Sequence, residues 1–308
     1  MSRLALLWAV AVFALAGEPA KSPAAPPTLR VPISVQSDSI LTSKDFTAFV
    51  YGVDSAKIAR IRTPDDDLLL MVVMDVVGDL ALVDPARHAL VDRVRELPSN
   101  VHAGVLRAQE GLQVVLDPTA DRDAFETAIL NMPVAGKAGL LDTIATASRV
   151  AESVGAKTGV RVAILYVTDS DVRNYREDFT NPVINSSDSR DLSRKFPEGL
   201  IREKISRTDE SLAVFQTPVF IVHIAYSASQ LNEAYQTGLL QLATSTGATA
   251  TFCRSSAEIP AAIAEAVSQI VSQYRVHVQL PAKAPRSVSV SLSSGDRPLT
   301  YRTRFTLR

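Results

Sequence analysis

Residues 68–79 read LLLMVVMDVVGD, and residues 160–171 read VRVAILYVTDSD. Each stretch is a largely apolar run that ends in an aspartate, Asp75 in the first and Asp169 in the second. An apolar run without regular polar alternation is typical of a strand that is covered on both faces, as in a parallel sheet. The two stretches therefore predict two inner strands of one parallel sheet.

Strand-like and helix-like patterns alternate around these two stretches. This alternation predicts an α/β fold with a doubly wound, mostly parallel sheet, and the Glu-Gly pair at 110–111 predicts one antiparallel hairpin strand. Further strands are expected at 101–107, 112–116, 219–224 and 248–253, and helices at 82–97, 121–131, 140–154, 201–215, 231–246 and 256–274.

The first sixteen residues have the pattern of a secretory signal. Arg3 precedes an apolar run that ends in the triplet Ala14-Leu15-Ala16, which is typical of a cleavage site. The alternative is an N-terminal membrane anchor, for which the run is short. We expect a signal peptide over residues 1–16, cleaved before Gly17, and a secreted or periplasmic product without a transmembrane segment after signal removal.

The rest of the chain divides into four segments. Residues 17–27 are rich in proline and alanine and predict an extended tether. Residues 28–66 predict an N-terminal β segment, and residues 67–274 the α/β domain. Residues 275–308 alternate apolar and polar side chains and predict an antiparallel β tail of three strands, the last running from 299 to 307. The tail could pair with the N-terminal segment on one side of the α/β domain.

Composition excludes several classes of protein. The 308 residues have a formal net charge of -1, whereas nucleic-acid-binding proteins usually carry a basic excess. A single cysteine rules out an intramolecular disulfide framework and a cysteine-rich zinc site. We expect Cys253 and His223 to be core residues, because both lie in apolar strands, and His277 in the β tail to be a surface residue.

Acidic side chains follow the two inner strands, where the ligand site of an open α/β sheet is found. Asp75 and Asp79 follow the first strand, and Asp169 and Asp171 follow the second. Grouped carboxylates suit a hard divalent cation such as Mg²⁺. The alternative is that these acids are N-caps or loop acids above helix N-termini, which the same positions favour. Spacing alone leaves both interpretations open.

The order of motifs resembles a known family. The order is a strand ending in Asp75, a helix, a hairpin, the stretch GKAGLLDTI at 136–144 and a strand ending in Asp169, as in von Willebrand factor type A (VWFA) domains. The segment LTSKDF at 41–46 and the β tail from Tyr274 are most similar to the VWFA-related domain of secreted bacterial proteins, described from acidobacteria. The resemblance covers residues 28–308, and it implies an α/β fold and a binding function.

The resemblance also implies the positions of a metal-ion-dependent adhesion site. The family pattern Asp-x-Ser-x-Ser falls on Asp75, Val77 and Asp79, its threonine on Ala138, and its last aspartate on Asp169. Val77 and Ala138 carry no oxygen ligand, so the site is expected to be degenerate. No cofactor is expected, although a residual site for Mg²⁺ or another divalent cation at Asp75, Asp79 and Asp169 remains an alternative.

These observations lead to one functional prediction and two alternatives. We predict a secreted, non-enzymatic binding or adhesion protein whose partner is another protein. The polar segment 171–198 would supply the contact through Arg173, Tyr175, Arg176 and Phe179, because mixed aromatic and arginine surfaces are common in protein recognition; the alternative is a solvated loop. The other functions considered are a metal-dependent hydrolase that uses Asp75 and Asp169, and a structural envelope component. The sequence contains no G-x-S-x-G or G-x-G-x-x-G motif for other chemistry.

Overall fold

A computed structural model describes residues 27–37, 39–53, 56–172 and 197–307. The predicted signal peptide and most of the predicted tether lie outside these ranges. No helix in the described ranges has both the length and the apolarity needed to cross a membrane. The strands and helices are β1 (Thr28–Val35), β2 (Thr47–Val50), β3 (Lys57–Arg62), β4 (Leu68–Asp75), α1 (Leu80–Arg95), β5 (Val101–Arg107), β6 (Gln113–Thr119), α2 (Arg122–Leu130), α3 (Leu140–Thr158), β7 (Arg161–Thr168), α4 (Pro197–Leu212), β8 (Val219–His223), α5 (Gln230–Ser245), β9 (Ala250–Phe252), α6 (Ile259–Ser272), β10 (Tyr274–Gln279), β11 (Ser287–Ser293), β12 (Leu299–Tyr301) and β13 (Arg304–Thr306).

The main sheet has six strands in the order β6-β5-β4-β7-β8-β9. Strand β4 pairs in parallel with β5 and β7, and the parallel pairing continues through β8 to β9. Strand β6 returns antiparallel to β5, as the Glu-Gly pair predicted. The predicted fold class is therefore confirmed, including the antiparallel hairpin strand.

Both faces of this sheet are covered by helices. On β4, Leu70 and Val72 pack with α1, α2 and α6, whereas Met71 and Val73 pack with α3, α4 and α5. Adjacent residues of a strand point to opposite faces of a sheet, so an inner strand between two helical layers must be apolar at every position. This requirement explains why β4 and β7 appear in the sequence as continuous apolar runs.

The two ends of the chain form one β unit with a common core. Strand β1 pairs with β10 and β12, and β10 also pairs with β3 in a four-stranded sheet. Strand β11 pairs with β2 and β13 in a three-stranded sheet. Apolar side chains from both sheets share one buried cluster that includes Leu29, Phe46, Val276 and Val290. The N-terminal segment and the tail thus pair, as the sequence allowed.

The last predicted strand is divided, which corrects the expectation of one strand over 299–307. Strand β12 joins the four-stranded sheet and β13 joins the three-stranded sheet. Between them lies Arg302, a buried residue whose guanidinium group donates to the carbonyl oxygens of Ala213 and Phe215, each at 2.6 Å. Because the side chain of Arg302 bonds to the α/β domain, the chain leaves the four-stranded sheet after β12 and joins the three-stranded sheet at β13.

Two further buried arginines join the β unit to the amino ends of the central strands. Arg161, at the start of β7, donates to the carbonyls of Gln273 at 2.8 Å and of Pro64 at 2.7 Å, and Arg275 donates to the carbonyl of Val162. Burial lowers the pKa of Arg161 to about 10 and that of Arg275 to about 9, so both stay charged at neutral pH. Charge-assisted bonds to main-chain carbonyls therefore connect the two units.

Replacement of Arg161 by lysine should lower the free energy of unfolding by about 2–4 kcal/mol, because one ammonium group cannot satisfy the several carbonyls that the guanidinium group meets. Urea unfolding followed by far-UV circular dichroism measures the loss. The control is Arg202→Lys on the exposed surface of α4, for which a change within about 0.5 kcal/mol is expected. Equal losses in the two variants would contradict this account of the interface.

Helices α4 and α5 approach closely at Gly238. A β-carbon at this position would lie 2.5 Å from Cγ1 of the buried Ile205 on α4, which is inside any normal contact distance. Gly238→Ala should therefore lower the free energy of unfolding by about 1–3 kcal/mol, although alanine favours a helix over glycine by about 1 kcal/mol. Removal of the facing side chain in the double variant Gly238→Ala/Ile205→Ala should make the loss smaller than the sum of the two single losses. Thermal unfolding of the two single variants and the double variant measures these losses. If the losses are additive, the contact between positions 205 and 238 does not cause the destabilisation.

Candidate functional site at the carboxyl edge of the sheet

Three neighbouring strands end in polar residues at the same height of the main sheet. Asp75 at the end of β4 pairs with Thr168 of β7, and Thr168 pairs in turn with His223 of β8. Asp169 and Ser170 follow directly after β7. All five residues are buried. The sheet thus brings together, at its carboxyl edge, the acids that the sequence placed there and several polar groups that it did not identify.

Asp75 closes the start of helix α3. Its carboxylate accepts hydrogen bonds from the main-chain N–H groups of Gly139 at 2.7 Å and Leu140 at 3.1 Å, and from Oγ1 of Thr168 at 2.7 Å. The first N–H groups of a helix lack partners within the helix, and the helix dipole favours a negative charge there. Asp75 therefore acts as an N-terminal cap that is supplied from a distant strand.

Glycine is required at position 139 for this contact. A β-carbon on Gly139 would lie 2.1 Å from the carbonyl oxygen of Ala108, which is main chain and cannot move aside without distorting β5. The stretch GKAGLLDTI, on which the family resemblance partly rests, contains this glycine. Its part in the structure is to bring the start of α3 close enough to donate to Asp75.

Asp169 holds the loop between β4 and α1. Its carboxylate accepts from the N–H groups of Val77 at 3.0 Å and Gly78 at 2.6 Å. Burial raises the pKa of Asp169, although these two N–H groups act in the opposite direction. Asp79 is exposed, and its carboxylate caps its own helix α1 by accepting from the N–H of Ala81 at 2.8 Å.

The predicted metal ligands therefore have other partners. Asp75 and Asp169 direct their oxygens at main-chain donors, and Asp79 faces the first turn of α1. Within residues 27–172 and 197–307, apart from the few positions not described, no group of three or more acidic, histidine or cysteine side chains could hold a metal ion. Val77 contributes an N–H group, and Ala138 is a buried apolar residue. This donor set does not fit Mg²⁺ as arranged. Metal binding by Asp75, Asp79 and Asp169 stays a prediction. The geometry favours the alternative, in which these acids cap helices and loops.

A buried polar network continues behind the two acids. Ser170 donates its N–H to Oγ1 of Thr168 at 2.9 Å, its hydroxyl accepts from the phenol of Tyr235 at 2.9 Å, and its carbonyl oxygen lies 2.8 Å from Nε2 of His223. The bond from Tyr235 ties helix α5 to the end of β7. The sequence analysis did not identify Ser170 and Tyr235. The two residues are 65 positions apart, and no local pattern indicates that they meet.

His223 and Cys253 could act as a base and a nucleophile by residue type. Both are buried core residues, as the sequence predicted. Burial lowers the pKa of His223, so the ring is neutral near pH 7. Burial also raises the pKa of the Cys253 thiol to about 11. A buried thiol with such a pKa is a weak nucleophile, because the thiolate is the reactive form.

Exposed apolar and aromatic residues follow two of the strands that end at this edge. Leu80 at the start of α1 is 54% exposed, and Tyr226 follows β8 with the guanidinium carbon of Arg254 at 5.5 Å from its ring centre. The N–H of Val172 donates to Oδ1 of Asn232. The predicted partner-binding residues lie beyond that point, outside the described residues; they are Arg173, Tyr175, Arg176 and Phe179.

Comparisons with known proteins give similarity in fold. No protein-family model matches the chain, and no curated protein matches it in sequence. A von Willebrand factor type A structure from Catenulispora acidiphila is 13% identical over 88% of this chain and 74% of its own, with a TM-score of 0.48. The SpRpn10 VWA domain is 15% identical over 66% of this chain and 94% of its own, with a TM-score of 0.39.

The PilB minor pilin from Streptococcus sanguinis is 11% identical over 67% of this chain, with a TM-score of 0.47. The match spans 62% of the pilin, which is less than two thirds of its length. Two of the three structures thus carry the name of the family that the sequence resembles. At these identities the likeness concerns the fold alone.

The pKa of Asp75 predicts a specific pH dependence of stability. Burial raises this pKa from 3.8 to about 7, against the effect of the three donors. Between these two values the folded protein retains a proton that the unfolded chain has released. Stability should therefore fall as pH rises through this window, by up to about 1.4 kcal/mol per pH unit, and the effect should level off above the folded pKa.

The variant Asp75→Asn isolates this effect, because asparagine does not titrate. The free energy of unfolding of the wild type, relative to the variant, should fall by about 2–3 kcal/mol from pH 5 to pH 7 in urea titrations. Asp117→Asn on the exposed strand β6 is the matched control for the loss of one carboxylate, and the fall in Asp75→Asn is compared with it. A difference from wild type that stays constant with pH in Asp75→Asn would show that the three donors outweigh burial and keep this carboxylate charged.

Proposed function

We propose that this chain is a secreted, non-enzymatic, VWFA-related binding protein that contacts a protein partner at the carboxyl edge of its sheet, without a metal bridge. The family resemblance in the sequence supports the class of function. One structural observation carries the proposal: the two acids at the edge, Asp75 and Asp169, bind main-chain N–H groups of the adjoining loops. These bonds fix the loops in place for recognition.

The same hydrogen bonds favour a binding function over a hydrolytic one. A hydrolase that used Asp75 would need this carboxylate to contact water or substrate. Asp75 is fully buried, and both of its oxygens accept hydrogen bonds from α3 or Thr168. The neighbouring His223 and Cys253 are buried as well. A metal-dependent hydrolase therefore requires a rearrangement that breaks the cap of α3, whereas binding at the exposed rim requires none.

The exposed rim has the composition of a recognition surface. Leu80 offers an apolar side chain, and Tyr226 with Arg254 offers a ring and a guanidinium group that are already in contact. Tyrosine and arginine are enriched at protein interfaces because each combines apolar area with hydrogen-bonding ability. Arg173, Tyr175, Arg176 and Phe179, which the sequence indicated as partner-binding residues, belong to the same proposed contact.

Site-specific photocrosslinking tests the location of the contact. A benzophenone amino acid at position 80 or 226 should give a discrete crosslinked product in an envelope or secreted fraction of the cells that produce the protein. The control is the same amino acid at Phe49, which is 58% exposed against 54% for Leu80 but lies on the β unit. Equal crosslinking from position 49 would contradict a contact at the carboxyl edge.

Removal of divalent cations tests the absence of a metal bridge. The crosslink should persist in EDTA, and about 10 mM Mg²⁺, Mn²⁺ or Ca²⁺ should leave the thermal unfolding midpoint unchanged. A metal with a dissociation constant near 100 µM would instead add about 2.7 kcal/mol at that concentration. A stabilisation that disappears in Asp75→Asn, together with a crosslink that needs the metal, would reassign the edge as a metal-dependent site.

A further inference from the structure

The three-stranded sheet of the β unit turns one face away from the core. On β11, Val288, Val290 and Leu292 point into the shared apolar cluster, so the residues between them point outward. On β2, Phe49 lies opposite Ser291 and shares its outward direction. The outward residues of the three strands are Thr47, Phe49, Ser287, Ser289, Ser291, Ser293, Arg304 and Thr306. This outer face has an aromatic side chain on β2 and a row of hydroxyl groups on β11.

Two aromatic rings stand together at the β2 edge of the outer face. Tyr51 follows β2, and its N–H donates to the carbonyl oxygen of Ser289 at 2.9 Å, so the tyrosine extends the strand pairing by one residue. The ring centres of Phe49 and Tyr51 are 5.0 Å apart, and the ring planes meet at 89°. Both residues are more than half exposed. Large apolar groups that are exposed side by side commonly mark an interaction site.

The polar groups beside the rings are available to a ligand. Among the residues that the structure describes, the hydroxyl groups of Ser289 and Ser291 and the guanidinium group of Arg304 make no hydrogen bond or ion pair. Ser289 lies opposite Arg304 on one side and next to Tyr51 on the other. Neighbouring strands are about 4.8 Å apart, so these three residues form a row about 10 Å long across the sheet. An aromatic ring, a hydroxyl group and a guanidinium group thus follow one another on one surface.

The outer face continues into a cleft beside β13. This cleft has a volume of about 470 Å³ and lies between the β unit and the carboxyl ends of α4 and α5. Ser287, Arg304 and Thr306 belong to the outer face and also line the cleft. The helices contribute Asp209, Glu210, Thr244 and Ser245. One oxygen of Asp209 accepts from the amide of Gln241 at 3.1 Å, which leaves its other oxygen and the exposed Glu210 for a ligand.

The four-stranded sheet of the same unit differs from the outer face, and it corrects one expectation. His277 on β10 is half-buried and is not the expected surface residue. Burial and then the guanidinium group of Arg275 lower the pKa of His277 to about 4. The neighbouring Arg30 bonds to Gln216 and forms an ion pair with Glu152. These side chains are used inside the molecule, unlike the exposed groups of the outer face.

We propose that the outer face and its cleft bind a neutral, β-linked glycan chain. A sugar ring of such a chain has flat faces of C–H groups and a rim of hydroxyl groups. The C–H groups carry a partial positive charge and stack on the negative face of an aromatic ring, here Phe49 or Tyr51. The hydroxyl groups of the rim donate to the carboxylates of the cleft and accept from Arg304 and the serines. Each kind of group on this surface therefore has a partner on a sugar.

Composition and charge favour a glycan over a protein or an anion. Serine is depleted at protein interfaces, and serine and threonine are uncommon among hot spots, whereas they form most of the outer face. No aliphatic side chain points outward among the described residues of the three strands. The described lining of the cleft holds two carboxylates, Asp209 and Glu210, and two guanidinium groups, Arg302 and Arg304. Since Arg302 is bonded to main-chain carbonyls and only balances the charge, the cleft fits a neutral ligand.

Affinity electrophoresis and isothermal calorimetry of the purified protein test the site. The gel contains soluble β-glucan, and the calorimeter probes are β-linked hexasaccharides of glucose, mannose and N-acetylglucosamine. We expect the glucan to retard the protein and at least one hexasaccharide to bind with a saturable heat. Polygalacturonate, an anionic polymer, should not retard it. Retardation by polygalacturonate alone, or no binding to any neutral probe, would overturn the proposal.

Variants of the two rings locate the binding. Phe49→Ala and Tyr51→Ala should each weaken glycan binding on the order of tenfold, because stacking area is lost, whereas Tyr51→Phe keeps the ring and should stay within about threefold. Tyr226→Ala is the control, since it removes an exposed ring at the carboxyl edge and should leave the affinity within about twofold. Far-UV circular dichroism shows whether each variant is folded. Undiminished binding in the folded double variant Phe49→Ala/Tyr51→Ala would overturn the assignment to this face.

Photocrosslinking from position 51 tests the other class of occupant. A discrete protein product from a benzophenone amino acid at this position, together with no retardation by β-glucan, would assign the outer face to a protein and overturn the glycan. The outer face is separate from the carboxyl edge, so failure here leaves the proposed contact at positions 80 and 226 to its own crosslinks.

Discussion

The buried carboxylate of Asp75 is the group on which the arrangement of the α/β domain depends. It lies on the central strand β4 and accepts hydrogen bonds from the start of α3 and from the end of β7. Burying a carboxylate costs free energy unless hydrogen-bond donors surround it. The position of Asp75 therefore requires the start of α3 and the end of β7 to lie where their donors reach it. Gly139 permits the close approach, and Asp169 repeats the device for the loop before α1. The edge of the sheet is consequently ordered by side chain to main chain bonds between distant elements.

A second set of charged groups performs the corresponding task at the opposite edge. Arg161, Arg275 and Arg302 are buried, and each donates to a main-chain carbonyl across the boundary with the β unit. Several of these carbonyls end α4 and α6, where the helix dipole favours a positive charge. Acids therefore satisfy N–H groups at the carboxyl edge, and arginines satisfy carbonyls at the amino edge. The chain places each sign of charge where the main chain leaves unpaired groups of the opposite polarity.

The charged groups of both edges are used mainly inside the molecule. The acids at the carboxyl edge accept from main-chain N–H groups, and the arginines at the amino edge donate to main-chain carbonyls. Recognition at the carboxyl edge therefore rests on exposed groups such as Leu80 and Tyr226 with Arg254. Aromatic, apolar and guanidinium groups of this kind are common in protein interfaces.

The sequence by itself determined the strands and helices of the α/β domain, because these elements follow from local patterns. Residues 68–75 and 161–168, for example, are the largely apolar runs that strands between two helical layers require. It also placed Asp75 and Asp169 at one edge. Only the tertiary structure decided what these acids bind, since Asp75 meets Gly139 from 64 positions away. It likewise decided that the strand expected over 299–307 divides at Arg302, whose partner Phe215 is 87 positions distant. Such hydrogen bonds depend on how whole elements pack, and no pattern in neighbouring residues encodes them.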